Sequence, residues 1–151
     1  MGADFNAFAE RRGSDGWELC LGKPKRGKSA DVLVLPCVGM RNKLLFGVLG
    51  AWEGDGLPAV VPERGLPADL SPQLRGRAEP TVGQPGYCGH SWALAAELLA
   101  FPWADTAVKL HGQRRKVSYA ELFAEFVSET VPVLAGLGPP DAVRMVYWVD
   151  Y

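Results

Sequence analysis

The segment at the end of the chain, DAVRMVYWVDY, constrains the fold more than any other stretch of the sequence. Side chains of a β-strand point alternately to the two faces of a sheet. Val143, Met145, Tyr147 and Val149 alternate here with Arg144, Val146, Trp148 and Asp150, so both faces carry large apolar side chains. A strand that is apolar on both faces is typical of a sheet interior. We therefore expect residues 143–150 to form an interior strand.

The N-terminal residues 3–21 predict a β-hairpin. Two strand-like runs, ADFNAFAERR and WELCL, flank the turn cluster GSDG. Because strand patterns lie at both ends and helical patterns between them, we expect the two terminal strands to be neighbours in one sheet, where Asp4 and Asp150 could meet. The apolar run DVLVLP, residues 31–36, predicts a further short buried strand that Pro36 ends.

Three segments carry the apolar spacing of helices. They are residues 41–52, 91–101 and 118–138. The glycines at 54–56 are expected to end the first of these helices, and Ser91 lies near the start of the second. The third has the clearest pattern, because Ser118 and Glu121 form a capping box at its start.

The long stretch 53–89 is irregular and rich in glycine and proline. A loop of that length in a compact domain is often functional. Within it, ADLSPQLRG predicts one short helix with Ser71 as N-cap and Pro72 at the first helical position. The expected fold is a single α+β domain over residues 1–151. Its antiparallel or mixed sheet would include the N-terminal hairpin and the C-terminal strand, packed by about three helices.

Composition excludes several classes of protein. The chain of 151 residues is 48% hydrophobic and 22% charged, as in an ordinary globular domain. A net charge of −1 gives no overall field that would attract nucleic acid or a membrane. The three cysteines are odd in number and spread out, which favours a reducing compartment over a disulfide framework. Neither a signal-peptide pattern nor an apolar run of membrane-spanning length is present, so we expect a cytoplasmic protein with no membrane partner.

The stretch GKPKRGKS, residues 22–29, matches the pattern of a phosphate-binding P-loop. A P-loop needs a helix directly after it, whose N-terminus faces the phosphate. Here the following residues, ADVLVLP, are β-branched and end in proline, which makes a poor helix. We interpret the stretch as a solvated connection between two strands, with a looser anion-binding role as the alternative.

The segment GYCGHSW holds Cys88 and His90 two residues apart. Three interpretations are open: capping or packing at a helix start, contact with a ligand, and covalent or metal chemistry. The only other histidine is His111, in a different segment, so the sequence predicts no metal site.

Arg64 lies between prolines and glycine in VPERGLPADLSP, a stiff loop that could either support the core or present the guanidinium to a carboxylate or phosphate. The same two interpretations apply to Arg41 and Asn42 at a helix start. The carboxylates are scattered and predict no acid–base pair. The basic HGQRRKV segment lacks interleaved aromatic residues, which argues against specific nucleic-acid binding.

In order along the chain, the segments MGADFN, RNKLLF, ERGLPADLSP, GHSWALAAELLAF and AVRMVYWVDY resemble a family of small uncharacterised bacteriophage and prophage proteins. Members of that family typically begin like M-[SG]-C-D-I-H and carry R-N-x-x-L-F, R-G-L-P-x-D-x-S-P and H-S-W/Y motifs. This chain has Ala3 and Asn6 where the family tends to have Cys and His. Any metal or catalytic site built on those two family residues would be missing here.

The resemblance implies a phage or prophage accessory protein in the cytoplasm of a bacterial host. We expect it to act by binding, either to an anionic, nucleotide-like small molecule or to a host protein such as a defence component, with no cofactor. The expected contacts come from Arg41, Asn42, Arg64, His90, Ser91 and Trp92. Two alternatives are a small nucleotide or phosphoester hydrolase that uses His90 with Asp69 or Asp4, and a purely structural or interaction module.

Overall fold

The computed structural model describes residues 2–53 and 56–151. It shows an α+β domain built on a four-stranded antiparallel sheet with the order β2-β1-β6-β3. The strands are β1 (Asp4–Gly13), β2 (Gly16–Leu19), β3 (Tyr87–Leu94), β4 (Ala107–Val108), β5 (Val117–Ser118) and β6 (Val143–Asp150). Strands β4 and β5 form a separate two-stranded sheet.

Within the described residues, five short α-helices accompany the sheet. They are α1 (Lys43–Val48), α2 (Pro72–Ala78), α3 (Ala95–Ala100), α4 (Tyr119–Leu122) and α5 (Val131–Ala135). A π-helical turn, Phe126–Thr130, directly precedes α5, and 3₁₀ turns occupy Glu79–Thr81 and Pro140–Ala142. The expected α+β class is therefore confirmed.

The two ends of the chain pair with each other at the centre of the sheet. Strand β6 lies between β1 and β3, and in the β1–β6 register Asp4 is opposite Asp150. Seven of its eight residues are buried, and only Asp150 is exposed. The predictions of an N-terminal hairpin, an interior C-terminal strand and the pairing of the two are all confirmed.

Each face of the sheet packs against its own set of side chains. On one face, Met145 and Tyr147 of β6 join the main core with α1, α3 and the 118–135 region. On the other face, Val146 and Trp148 pack against Leu74 and Ala78 of α2. Helix α2 begins as predicted: Ser71 Oγ accepts a hydrogen bond from Leu74 N at 3.3 Å, and Pro72 takes the first helical position.

The prediction of a buried strand over residues 31–36 is wrong. One antiparallel bridge, Leu21–Val32, joins this segment to the end of the hairpin, and turns begin at Pro36. Val34 is 74% exposed, so the apolar run does not lie inside a sheet as its composition suggested.

The prediction of a helix over residues 91–101 is correct only for its second half. Residues up to Leu94 belong to β3, and only Ala95–Ala100 are helical. Strand β6 needs a hydrogen-bonding partner strand on each side; β1 pairs with one side and β3 with the other. This long-range pairing overrides the local helical pattern.

Two other predicted helices are shorter than expected. The first covers Lys43–Val48 within the predicted 41–52 and ends before the glycines at 54–56, of which Gly54 lies outside the described residues. The second is divided between α4, the π-helical turn and α5. Pro132 has no N–H for the carbonyl of Ser128 and its ring would clash there, so the preceding turn widens into π geometry.

Candidate functional site

Arg64 is held by a carboxylate of this chain itself. Its guanidinium donates two parallel hydrogen bonds to Glu97, Nη1 to Oε1 at 2.7 Å and Nη2 to Oε2 at 2.5 Å. It also lies over the indole ring of Trp92 at 4.4 Å and donates to the Trp92 carbonyl at 3.2 Å. The pair holds the pKa of Glu97 below its usual range. The guanidinium fork, which is shaped for a carboxylate or phosphate, is thus occupied from within.

Ser91 and Trp92 belong to the same contact group. Ser91 is fully buried, and its Oγ accepts a hydrogen bond from the backbone N–H of Arg64 at 3.1 Å. The two side chains face opposite sides of β3, with Ser91 opposite Tyr147 and Trp92 opposite Val146. Arg64 therefore contacts two of the other predicted site residues, Ser91 through its backbone N–H and Trp92 through its guanidinium.

The other end of the same loop is anchored by a second arginine, Arg144 of β6. Arg144 is buried and donates from Nε to Glu10 Oε1 at 2.7 Å and from Nη1 to Asp69 Oδ1 at 2.8 Å. The remaining oxygen of Glu10 accepts the backbone N–H of Ser71 at 2.8 Å, and Trp17 Nε1 donates to Asp69 at 3.0 Å. We call residues 64–71 the clamped loop, because an arginine–carboxylate pair fixes each end.

His90 lies apart from this group. Its Nε2 is 2.7 Å from the hydroxyl of Thr81, and its ring stacks on Trp148 at 5.8 Å. Burial lowers the pKa of the imidazole. The carboxylates suggested as its partners have other contacts: Asp69 binds Arg144, and Asp4 binds Arg41.

Arg41 and Asn42 lie at the start of α1. Asn42 is the N-cap, and its Oδ1 accepts a hydrogen bond from Leu45 N at 3.1 Å. Arg41 Nε forms an exposed ion pair with Asp4 at 2.8 Å. Both line a wide, shallow depression of about 800 Å³ that also includes Lys43 and Glu125. The six predicted residues therefore do not line one common pocket.

A better-formed cleft of about 410 Å³ lies elsewhere, where the segment after α1 meets the start of β3 and the end of β6. Its lining residues are Gly50, Ala51, Trp52, Glu53, Glu63, Cys88, Gly89 and Tyr151. We call this the aromatic–acidic cleft. Sequence reasoning missed it because its residues come from four separate segments, although both ends of the irregular 53–89 stretch contribute to it.

Close backbone packing shapes the floor of the cleft. The register of β3 against β6 shifts between Cys88 and Ser91, which is the signature of a β-bulge. Within it, Gly89 has φ of +67°, and a Cβ at this position would collide with the carbonyl of Ala51. The Tyr147 hydroxyl donates to the carbonyl of Leu49 at 2.6 Å and ties the segment after α1 to the sheet.

Aromatic rings and carboxylates form the walls of the cleft. The rings of Trp52 and Tyr151 meet edge to face at 6.0 Å. The ammonium of Lys43 lies 5.2 Å from the Trp52 ring centre, close enough for a cation–π interaction. Glu53 and Glu63 contribute carboxylates, and of the described lining residues none is lysine or arginine.

The cysteine in the cleft is a poor nucleophile. Burial, and then the negative charges of Glu63 and Glu53, raise the pKa of the Cys88 thiol. A cysteine nucleophile needs the thiolate, which this environment disfavours. Among residues 2–53 and 56–151, no group of three or more His, Cys, Asp and Glu side chains could hold a metal ion.

The GKPKRGKS stretch has no helix after it. Residues 30–42 contain only the Leu21–Val32 bridge, turns and irregular backbone. The physical reason for rejecting a P-loop is therefore confirmed.

Comparison of the chain with models of protein families, with curated proteins and with solved structures found no match. In the described part of the chain, no helix is long and apolar enough to cross a membrane.

Proposed function

We propose that this protein acts by binding, and that the aromatic–acidic cleft is its site for an organic cation, an ammonium or guanidinium group. The observation that carries the proposal is the pairing of Trp52 and Tyr151 with Glu53 and Glu63 around one cavity. Aromatic faces attract cations through the ring quadrupole, and carboxylates supply the opposite charge.

The size of the cleft supports a small group as the ligand. Ligand pockets commonly measure about 300–1,000 Å³, and this one, at about 410 Å³, is near the lower end. Such a volume suits a side chain or a small amine. The ammonium of Lys43 already lies 5.2 Å from the centre of the Trp52 ring, so a ligand cation shares this ring with Lys43 or displaces it.

Two sources could supply the cation. One is a free small molecule, such as an amine or arginine, and the other is a lysine or arginine side chain on a host protein. The second source agrees with the role that the family resemblance implies, a phage or prophage accessory protein acting on a partner in the host cytoplasm. The chemistry recognised by the cleft is the same in both.

The function expected from the sequence, recognition of a nucleotide-like anion by Arg64 and its neighbours, remains a prediction. It requires the Arg64 guanidinium to leave Glu97, whereas the cleft carboxylates of Glu53 and Glu63 are in no ion pair within the described residues. Hydrolysis through His90 likewise remains a prediction.

The test is a thermal-shift and calorimetric panel on the purified protein. Its members are arginine, spermidine, tetramethylammonium, a lysine-rich peptide, AMP and ADP. We expect the cations to bind and the nucleotides to have no effect. The Trp52→Ala and Glu63→Gln variants should each weaken cation binding by about tenfold, the loss of a cation–π contact or of one charge-assisted hydrogen bond.

Glu129→Gln is the matched control, because Glu129 is exposed and lies on the π-helical turn, outside the cleft lining. It makes the same change of charge and should leave binding intact. Equal losses in Glu63→Gln and Glu129→Gln, or stabilisation by the nucleotides alone, would overturn the proposal.

A further inference from the structure

Backbone hydrogen bonds join the two ends of the basic loop, which we define as residues 22–31. Gly22 N donates to the carbonyl of Asp31 at 2.7 Å, and Leu33 N donates to the carbonyl of Cys20 at 3.1 Å. The Leu21–Val32 bridge lies between these two hydrogen bonds. The loop therefore projects from the end of the hairpin as a defined unit of ten residues.

A tight turn at the tip brings basic residues together. Lys28 N donates to the carbonyl of Lys25 at 3.0 Å, and Gly27 supplies the positive φ of +74° that the turn requires. Lys23, Lys25, Lys28 and Ser29 line one concavity of about 210 Å³, together with Asp31.

The positive charge in this concavity is not neutralised. Its lining residues include three lysines and a single carboxylate residue, Asp31, and in the described ranges 2–53 and 56–151 none of the loop's cations forms an ion pair. Arg26, within the turn at the tip, adds a fourth positive charge. Like charges held together repel one another, which costs stability unless a counter-charge arrives.

We propose that the basic loop binds a phosphate group. Three ammonium groups and the Ser29 hydroxyl provide hydrogen-bond donors and positive charge, and a phosphate has several acceptor oxygens and more than one negative charge. A concavity of about 210 Å³ can take a phosphate or diphosphate but not a whole nucleotide. Recognition here uses side chains, unlike a P-loop, which uses backbone amides at a helix start. The site is separate from the aromatic–acidic cleft and does not depend on its function.

The experiment measures binding of two phosphate sources at 150 mM salt, by calorimetry and by amide chemical-shift mapping. The probes are inorganic pyrophosphate and a twenty-nucleotide single-stranded DNA. We expect shifts confined to residues 22–33 with at least one probe, and the probe that binds identifies the source as a free or a polymeric phosphate. Lys25→Gln combined with Lys28→Gln should weaken that binding at least about tenfold, because two charged hydrogen-bond donors are lost.

Arg115→Gln combined with Lys116→Gln is the control, since it removes the same charge from the other basic segment and should leave the affinity within about twofold. Asp31→Asn should tighten binding by removing the one carboxylate, whereas Glu129→Gln should not. Equal losses in the two double variants, or no binding of either probe, would overturn the proposal. Glu63→Gln should leave phosphate binding intact, so this result is independent of the cleft.

Discussion

The clamped loop lies in the irregular central stretch, and the aromatic–acidic cleft takes some of its lining residues, including both glutamates, from the same stretch. The charged residues of the two regions differ in whether they form ion pairs. In the clamped loop, Arg64 binds Glu97 and Asp69 binds Arg144. In the cleft, Glu53 and Glu63 line a cavity and form no ion pair within the described residues. Conspicuous charged residues in a motif can therefore be structural, while charges without partners at a cavity are the ones available to a ligand.

Hydrogen bonds from side chains hold the backbone of the clamped loop, although most of the loop is neither helix nor strand. Its backbone N–H groups at Arg64 and Ser71 are bound by the side chains of Ser91 and Glu10. Side chains from the sheet thus replace the backbone partners that a helix or strand would provide. Substitutions in the clamped loop and in the cleft should therefore change the free energy of unfolding by different amounts. We expect the largest loss at the buried Arg144.

Arg144→Ala should cause the largest loss of stability. It would leave the carboxylate of Glu10 fully buried without its positive partner and release Asp69 at the same time. Breaking one side of a buried ion pair typically costs about 3–5 kcal/mol in the free energy of unfolding. Urea denaturation monitored by circular dichroism measures this, with Lys116→Ala as an exposed control expected to change it by less than about 0.5 kcal/mol. A loss for Arg144→Ala no larger than the control would show that the clamp is not structural.

Gly89→Ala tests the floor of the cleft. The substitution combines an unfavourable positive φ with a collision against the Ala51 carbonyl, so we expect a loss of about 2–4 kcal/mol or local rearrangement. Gly83→Ala is the matched control, because Gly83 has φ of +73° but a Cβ there would meet nothing within 4 Å. The difference between the two variants in thermal unfolding isolates the steric contribution. If both lose the same stability, close packing at Gly89 contributes nothing.

Arg64→Lys keeps the charge of the clamped loop but removes the guanidinium fork. We expect a loss of about 1–2 kcal/mol, since one of the two hydrogen bonds to Glu97 and the stacking on Trp92 disappear. Arg41→Lys, at the exposed pair with Asp4, should change stability by no more than about 0.5 kcal/mol. Comparable melting temperatures for the two variants would show that the Arg64–Glu97 pair contributes no more stability than the exposed Arg41–Asp4 pair. The Arg64 guanidinium would then be available to an anion.

The parts of the fold predicted correctly from the sequence have local causes. The alternating pattern of residues 143–150, the Gly-Ser-Asp-Gly turn and the Ser71–Pro72 helix start each specify an element within a few residues. The SWAL segment carries a helical pattern and yet forms a strand, because the distant strand β6 gives it a backbone partner. Local patterns do not contain that information.

The candidate site is harder to predict for a related reason. The sequence analysis predicts Arg64, Ser91 and Trp92 in one site, and Arg64 does contact the other two. Whether Arg64 is available to a ligand, however, depends on Glu97, and the sequence does not show that pairing. Trp52, Glu63 and Tyr151 form a cleft only after β1, β3 and β6 have assembled, so no spacing along the chain indicates it.

The smallest expected effect is a dependence of stability on pH that comes from the clamped loop. Hydrogen bonds from Arg64 and Arg144 lower the pKa values of Glu97 and Asp69 below their ordinary values of 4.5 and 3.8, respectively. The folded protein therefore binds these protons less readily than the unfolded chain. The stabilisation is fully present above the unfolded values and is lost as the pH falls through the lowered folded values.

Urea midpoints measured between pH 7 and pH 2.5 should fall in this acid range, and Glu97→Gln should make the fall shallower. The effect should be modest, because the Asp69 side chain is 68% exposed and solvent screens its pairing with Arg144. Glu129→Gln, which changes an exposed carboxylate outside both regions, should leave the dependence of the urea midpoint on pH unchanged. An identical slope in Glu97→Gln and the unaltered protein would mean that the Arg64–Glu97 contact adds no stability, and the distinction between clamped and available charges would then rest on Arg144 alone.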